Sequence, residues 1–161
     1  MRPAPAARAR GFTLIEMLVV LAMMGVLAAA ARPMLQMSAQ RSREHELRQA
    51  LRQIRTAIDA YKKAADEGQV AHAADASGYP PSLDALAAGV ADAKSVKGRR
   101  IYFLRRVPRD PFADPALAPA DSWGLRSADS PPDSPRPGAD VFDVYSRSEK
   151  RGLDGSRYRD W

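Results

Sequence analysis

Side chains able to do chemistry are few among these 161 residues. There is no Cys, which excludes disulfides, thiolate metal sites, iron–sulfur clusters and Cys nucleophiles. There is no Asn either, so N-glycosylation is excluded. His45 lies among Arg41, Arg43, Glu44 and Glu46, and His72 lies among alanines. Neither has a companion that would make a catalytic pair. No nucleophile elbow, His-Glu-x-x-His, P-loop or Gly-x-Gly-x-x-Gly is present. Most acids sit in turns or beside arginines, where solvated charge is the ordinary role. One carboxylate breaks that pattern: Glu16, inside an apolar run from Phe12 to Ala31.

The element that must carry Glu16 is a helix. Only Thr13, Glu16 and Gly25 interrupt the apolar run. At 1.5 Å per residue its length is about 30 Å, the thickness of a bilayer core. Its Leu, Met and Ala content favours helix, and no proline intervenes before Pro33. The segment reads either as one membrane-spanning helix or as a cleaved export signal, with small residues at Ala28–Ala31 for a signal peptidase. The run is longer than the roughly 7–15 apolar residues of such signals. A carboxylate at the centre of a membrane helix costs roughly 2.5–3.5 kcal/mol, and less near an end. An acid kept there points to function.

The local sequence, Gly11-Phe12-Thr13-Leu14-Ile15-Glu16 followed by Met17-Leu18-Val19-Val20-Leu21, resembles the prepilin N-terminal signature. That signature has a short basic leader ending in Gly, then Phe, then an acid at the fifth position inside an apolar helix. The resemblance implies cleavage by a prepilin peptidase between Gly11 and Phe12 and N-methylation of the new Phe12 amine. It also implies that Glu16 pairs with the Phe12 amine of a neighbouring subunit during assembly. Two opposite charges are each costly alone in an apolar core and much less so together.

Charge follows the same division. The leader, residues 1–11, carries Arg2, Arg8 and Arg10 with no acid. Residues 32–55 carry six arginines against Glu44 and Glu46, and residues 56–161 are neutral. Past the membrane run, Leu47, Leu51, Ile54, Ile58, Tyr61 and Ala65 recur at steps of three and four, one face of a helix. The helix is expected to run from about Phe12 to Asp66, stopped by Gly68. Its stripe should pack on the chain's own globular part rather than in a coiled coil. Pro33 predicts a kink or local opening near residues 29–33. The arginines of 32–55 read first as a solvated face, with anionic lipid, acidic neighbours or nucleic acid as other partners.

In the remainder, Ser82 is a helix cap for Leu83 to Ala88, and Gly89 a stop. Residues 101–104 suit a strand or a buried extended segment, and 140–146 and the Trp123–Ser127 piece suit strands of one small antiparallel sheet. Eight of the 13 prolines lie within 108–137, a loop-rich span. The expected fold class is α+β: a long N-terminal helix, membrane-spanning in its first half, with a small antiparallel sheet and a short helix on its second half. The expected organisation is a leader at 1–11, a transmembrane helix at 12–31, an amphipathic continuation at 32–67 and a globular domain at 68–161.

The order of YPPSLDAL, YFLRRVPRDPF, WGLRS and FDVYSRS…LDG, with a terminal Trp, is similar to the major, G-type, pseudopilin of type II secretion. Type IV pilins usually carry a disulfide near the C-terminus, which a chain without Cys cannot form. The resemblance implies a periplasmic pseudopilus subunit that is not an enzyme and that drives protein export. Its partners would be other copies of itself, prepilin peptidase, other pseudopilins and the inner-membrane secretion platform. It would be a single-pass protein of the bacterial inner membrane, with its C-terminal domain in the periplasm. The resemblance also implies a calcium (Ca2+) site in the C-terminal loop, for which Ser146 and Asp154 match best. Calcium wants six to eight oxygen ligands, whereas Arg147, Lys150, Arg151, Arg157 and Arg159 crowd this loop. Alternative readings are a type IV or competence pilin, touching DNA through its arginines, and a secreted binding protein cut after Ala31.

Overall fold

The computed structural model describes residues 12–73 and 76–161. The leader at 1–11, Gly11 included, lies outside the described residues. By its internal contacts the chain divides into a first unit ending at Ala39 and a second, Gln40–Trp161.

Helix α1 spans Leu14–Asp66. Thr13 caps it: the Glu16 amide donates to Thr13 Oγ1 at 3.3 Å, and the Met17 amide to the Thr13 carbonyl at 3.2 Å. At the other end the Gly68 amide donates to Ala65 O (2.9 Å) and the Gln69 amide to Ala64 O (2.8 Å). Gly68 itself has φ +70°. This is a Schellman closure, whose left-handed position suits glycine. The span of α1 includes residues 29–33, with which a kink at Pro33 is compatible. Proline removes a single backbone hydrogen bond, and the alanines before it are strong helix formers.

In the first unit every described apolar side chain of the membrane run is exposed, Leu14 at 79% and Leu27 at 70% among them. In the second unit the opposite holds. Leu47, Leu51, Ile54, Ile58, Tyr61 and Ala65 are all buried, with Ala50, Ala57 and Ala64 beside them. They pack on Leu83, Leu86, Leu104, Val107, Trp123, Val141, Val144 and Tyr158 in one core. The stripe therefore packs within its own chain, as its short length suggests.

Helix α2, Leu83–Ala88, starts at Ser82, whose hydroxyl accepts from the Ala85 amide (3.3 Å), and ends at Gly89. Strands β1 (Val90–Ala91) and β2 (Arg100–Ile101) form one antiparallel pair. A 3-10 turn at Ala120–Ser122 leads into β3 (Trp123–Arg126), which pairs antiparallel with β4 (Asp143–Ser146). A Cβ on Gly124 would lie 2.3 Å from the Tyr145 ring, so glycine lets that ring cross the strand. The single sheet expected from sequence is thus two two-stranded sheets. Pro108, Pro111, Pro115 and Pro119 separate them, and proline cannot donate to a ladder. β2 stops at Ile101, where the chain turns onto α2 and the Phe103 and Leu104 amides donate to Leu86 O.

Candidate assembly helix and C-terminal loop

The first turn of α1 brings Phe12, Thr13 and Glu16 together. Phe12 is 74% exposed and directly precedes the cap residue. Glu16 is the acid of the first turn, where the unpaired amide dipoles of a helix favour negative charge. Among the described residues, no cation lies within ion-pair distance of it. Thr13-x-x-Glu16 is the spacing of a capping box, and the threonine half of that box is formed. Sequence reading passed over Thr13, although this four-residue pattern signals it. The helix that follows is long and apolar enough to cross a membrane.

Ser146 and Asp154 fall into separate networks. Ser146 is fully buried on β4; its hydroxyl donates to Asp110 Oδ2 (2.5 Å) and accepts from the Ser148 amide (3.2 Å). Asp110 in turn accepts from the Phe112 amide (2.8 Å) through Oδ1, tying β4 to the proline-rich stretch. Asp154 is exposed, accepting from the Ser156 amide and hydroxyl through Oδ1 and from Arg48 through Oδ2. The Ser156 bonds and Arg48 hold its pKa below the usual carboxylate value. Among the described residues no group of three or more His, Asp or Glu is placed to hold a metal. Ser146 and Asp154 are therefore not brought together at one point.

Glu44, which sequence reading set among the solvated charges, is only 7% exposed. Its signal was present, because position 44 extends the 47, 51, 54, 58 stripe by one backward step of three. Oε1 of Glu44 accepts from the Leu153 amide (2.9 Å), the Tyr158 hydroxyl (2.9 Å) and Gln40 Nε2 (3.0 Å). Burial, and then the bond to Glu44, push the Tyr158 phenol above its ordinary pKa.

A cleft of about 430 Å³ is lined by Arg55, Arg126, Asp143, Tyr145, Arg157 and Trp161, among others. Arg55 is fixed there by Asp143 (2.8 Å), the Trp161 carbonyl (2.9 Å) and the Val144 carbonyl (3.2 Å). The lining has no imidazole or thiol. His45 and His72 are both exposed, away from it.

Residues 6–31 match the family described as the prokaryotic N-terminal methylation motif. The chain is 31% identical to the type II secretion system core protein G of Klebsiella pneumoniae over 109 residues, 65% of this chain and 70% of that protein. It is 29% identical over 107 residues to the protein of the same name from Klebsiella michiganensis, covering 64% and 68%. No solved structure matches the chain.

Proposed function

We propose how this chain works from one premise: it belongs to the family of type II secretion system core protein G. It is a structural subunit of a pseudopilus, carrying the prepilin methylation motif and anchored in a membrane by its apolar helix. The finer steps are our reading. Prepilin peptidase cuts between Gly11 and Phe12, and the freed Phe12 amine is methylated. The helix waits in the inner membrane with residues 40–161 in the periplasm. The secretion platform then extracts it into a filament beside other copies and other pseudopilins. Growth of that filament moves proteins toward the outer membrane. The subunit contributes assembly and no catalysis.

One observation carries this reading. Among the described residues, the apolar side chains from Phe12 to Ala29 all lie exposed, interrupted by one carboxylate in the first turn. Lipid can cover the apolar surface before assembly, and neighbouring helices can cover it afterwards. Glu16 then needs a cation at that depth, which the Phe12 amine of a neighbour supplies. The pair selects register, because a misplaced subunit leaves two charges unpaired.

Mass spectrometry of the mature chain from its own host tests the processing steps. An N-terminus at Phe12 carrying one methyl group is expected. An N-terminus at Arg32 would instead support a secreted protein, and the assembly mechanism would fall.

A further inference from the structure

We propose that the C-terminal loop of this subunit is closed without a metal ion, by a clasp that Glu44 and Arg48 extend from α1. The loop, residues 150–158, begins and ends at an isolated antiparallel bridge between Arg151 and Arg157. A chelating loop would present its carbonyls and carboxylates to one point. Here most of those oxygens already accept from donors of the protein. Lys150 O accepts from the Tyr158 amide (3.2 Å), Gly152 O from the Gly155 amide (2.9 Å) and Ser156 O from the Gly152 amide (2.8 Å). Gly155 O accepts from Arg151 Nη1 (2.8 Å). Both oxygens of Asp154 are occupied, one by Ser156 and the other by Arg48.

Two side chains one helical turn apart hold this closed loop against the core. Glu44 accepts the Leu153 amide and the Tyr158 hydroxyl on a single oxygen, out of water. Charge-assisted bonds of this kind are roughly twice as strong as neutral ones. Tyr158 then stacks on Phe112, ring centroids 4.1 Å apart, and meets Trp161 edge-on at 4.9 Å. Arg48 reaches Asp154 at 2.9 Å and lies over the Trp161 ring at 4.0 Å from its centroid. The Arg48–Asp154 pair is half-exposed, and such pairs contribute little alone. Its larger effect is positional: the guanidinium takes the Asp154 oxygen that Ser156 leaves open. Five cationic side chains against two acids between 147 and 159 oppose a divalent ion further. Gly152 completes the fit, since a Cβ there would lie 2.7 Å from Trp161 and 2.9 Å from Asp154. The clasp therefore does within one chain what a bridging cation would do between loop and core.

Hydrogen exchange on the full-length protein in detergent, followed amide by amide, tests this. Millimolar calcium chloride or a chelator is expected to leave the protection of residues 150–158 in the wild type unchanged. Glu44→Ala should speed exchange at the Leu153 amide by about tenfold or more, with Ile54 and Ile58 still protected. Arg48→Gln covers the case in which Glu44→Ala does not fold. It should speed exchange at Gly155 and Ser156 by a few-fold and trypsin cleavage after Arg151 and Arg157 likewise. Calcium-induced protection of the wild-type loop would overturn the proposal. So would a Glu44→Ala variant that folds with Leu153 still protected, or an Arg48→Gln variant whose loop is unaltered.

Discussion

Glu16 and Glu44 are carboxylates of one helix, 28 residues apart, and they stand in opposite situations. Glu16 is exposed in a stretch whose apolar side chains are all uncovered, and no cation of the described chain pairs with it. Glu44 is buried on the stripe that packs into the second unit, and three donors converge on one of its oxygens. The same backbone and the same acid thus face two kinds of partner. Glu44 is completed inside the chain and serves folding. In the proposed function Glu16 is completed from outside, by the Phe12 amine of a neighbouring subunit.

Breaking that contrast should give its largest effect at Glu16. Leaving one member of a buried ion pair without its partner costs about 3–5 kcal/mol, and a filament repeats the loss at every subunit. Glu16→Ala is expected to insert into the membrane normally, keep a folded second unit and form almost no filaments in a host overproducing the secretion system. Counting filaments by electron microscopy, alongside membrane fractionation, checks this. Normal filament numbers would end the proposed role of the carboxylate. A change on the other side of the contrast, Ile54→Ala, should act in the reverse manner. Ile54 is 0% exposed, and truncation at such a site costs about 2–5 kcal/mol. Thermal unfolding followed by near-ultraviolet circular dichroism should shift markedly downward, while membrane insertion is unchanged.

The parts of this contrast differed in how readable they were. The membrane run, the buried stripe from Leu47 to Ala65, the Gly68 stop and the Ser82–Gly89 helix follow local rules, namely periodicity, capping and left-handed glycine. They were legible, and all of them occur. The strand pairing was half legible. β3 and β4 could be named from composition, but their separation from β1 and β2 depends on where a proline-rich span takes the chain. Glu44 was misjudged because a glutamate is ordinarily solvated. Its place on the buried stripe was readable, but its partners are an amide and a phenol more than 100 residues away, and no local pattern encodes those. Ser146 was marked by resemblance, yet its oxygen is engaged by Asp110, 36 residues earlier.

Asp140 shows that satisfied buried carboxylates are a general feature of the second unit. Burial raises its pKa, but bonds from the Ser77 hydroxyl, the Ala128 amide (2.9 Å) and the Ser127 hydroxyl (2.8 Å) outweigh that and leave it lowered. A lowered folded pKa stabilises the fold above the unfolded value, about 3.9. That contribution is lost as pH falls through the folded value. Asp140→Asn should cost about 1–3 kcal/mol at neutral pH, and the gap in melting temperature to the wild type should close below about pH 4. A gap that persists undiminished into strong acid would mean that shape, and not charge, holds this site.

The smallest effect should come from Thr13, which supports Glu16 without being its partner. Its hydroxyl accepts from the Glu16 amide, and removing an N-cap of this kind costs about 1 kcal/mol. The loss is confined to the first turn, because the rest of α1 keeps its own ladder and the dipole acts only over that turn. Thr13→Ala, once its mature N-terminal mass is shown to be normal, should speed exchange of the Glu16 amide by about fivefold. Filaments should still form in useful numbers, since the carboxylate remains at its depth in the helix, and Thr13→Ser should restore the wild-type rate. If Thr13→Ala abolished filaments as fully as Glu16→Ala, the charge alone would not explain assembly. The cap would then be fixing the orientation in which Glu16 meets the neighbouring amine, and the contrast with Glu44 would narrow to two carboxylates that both depend on being held in place.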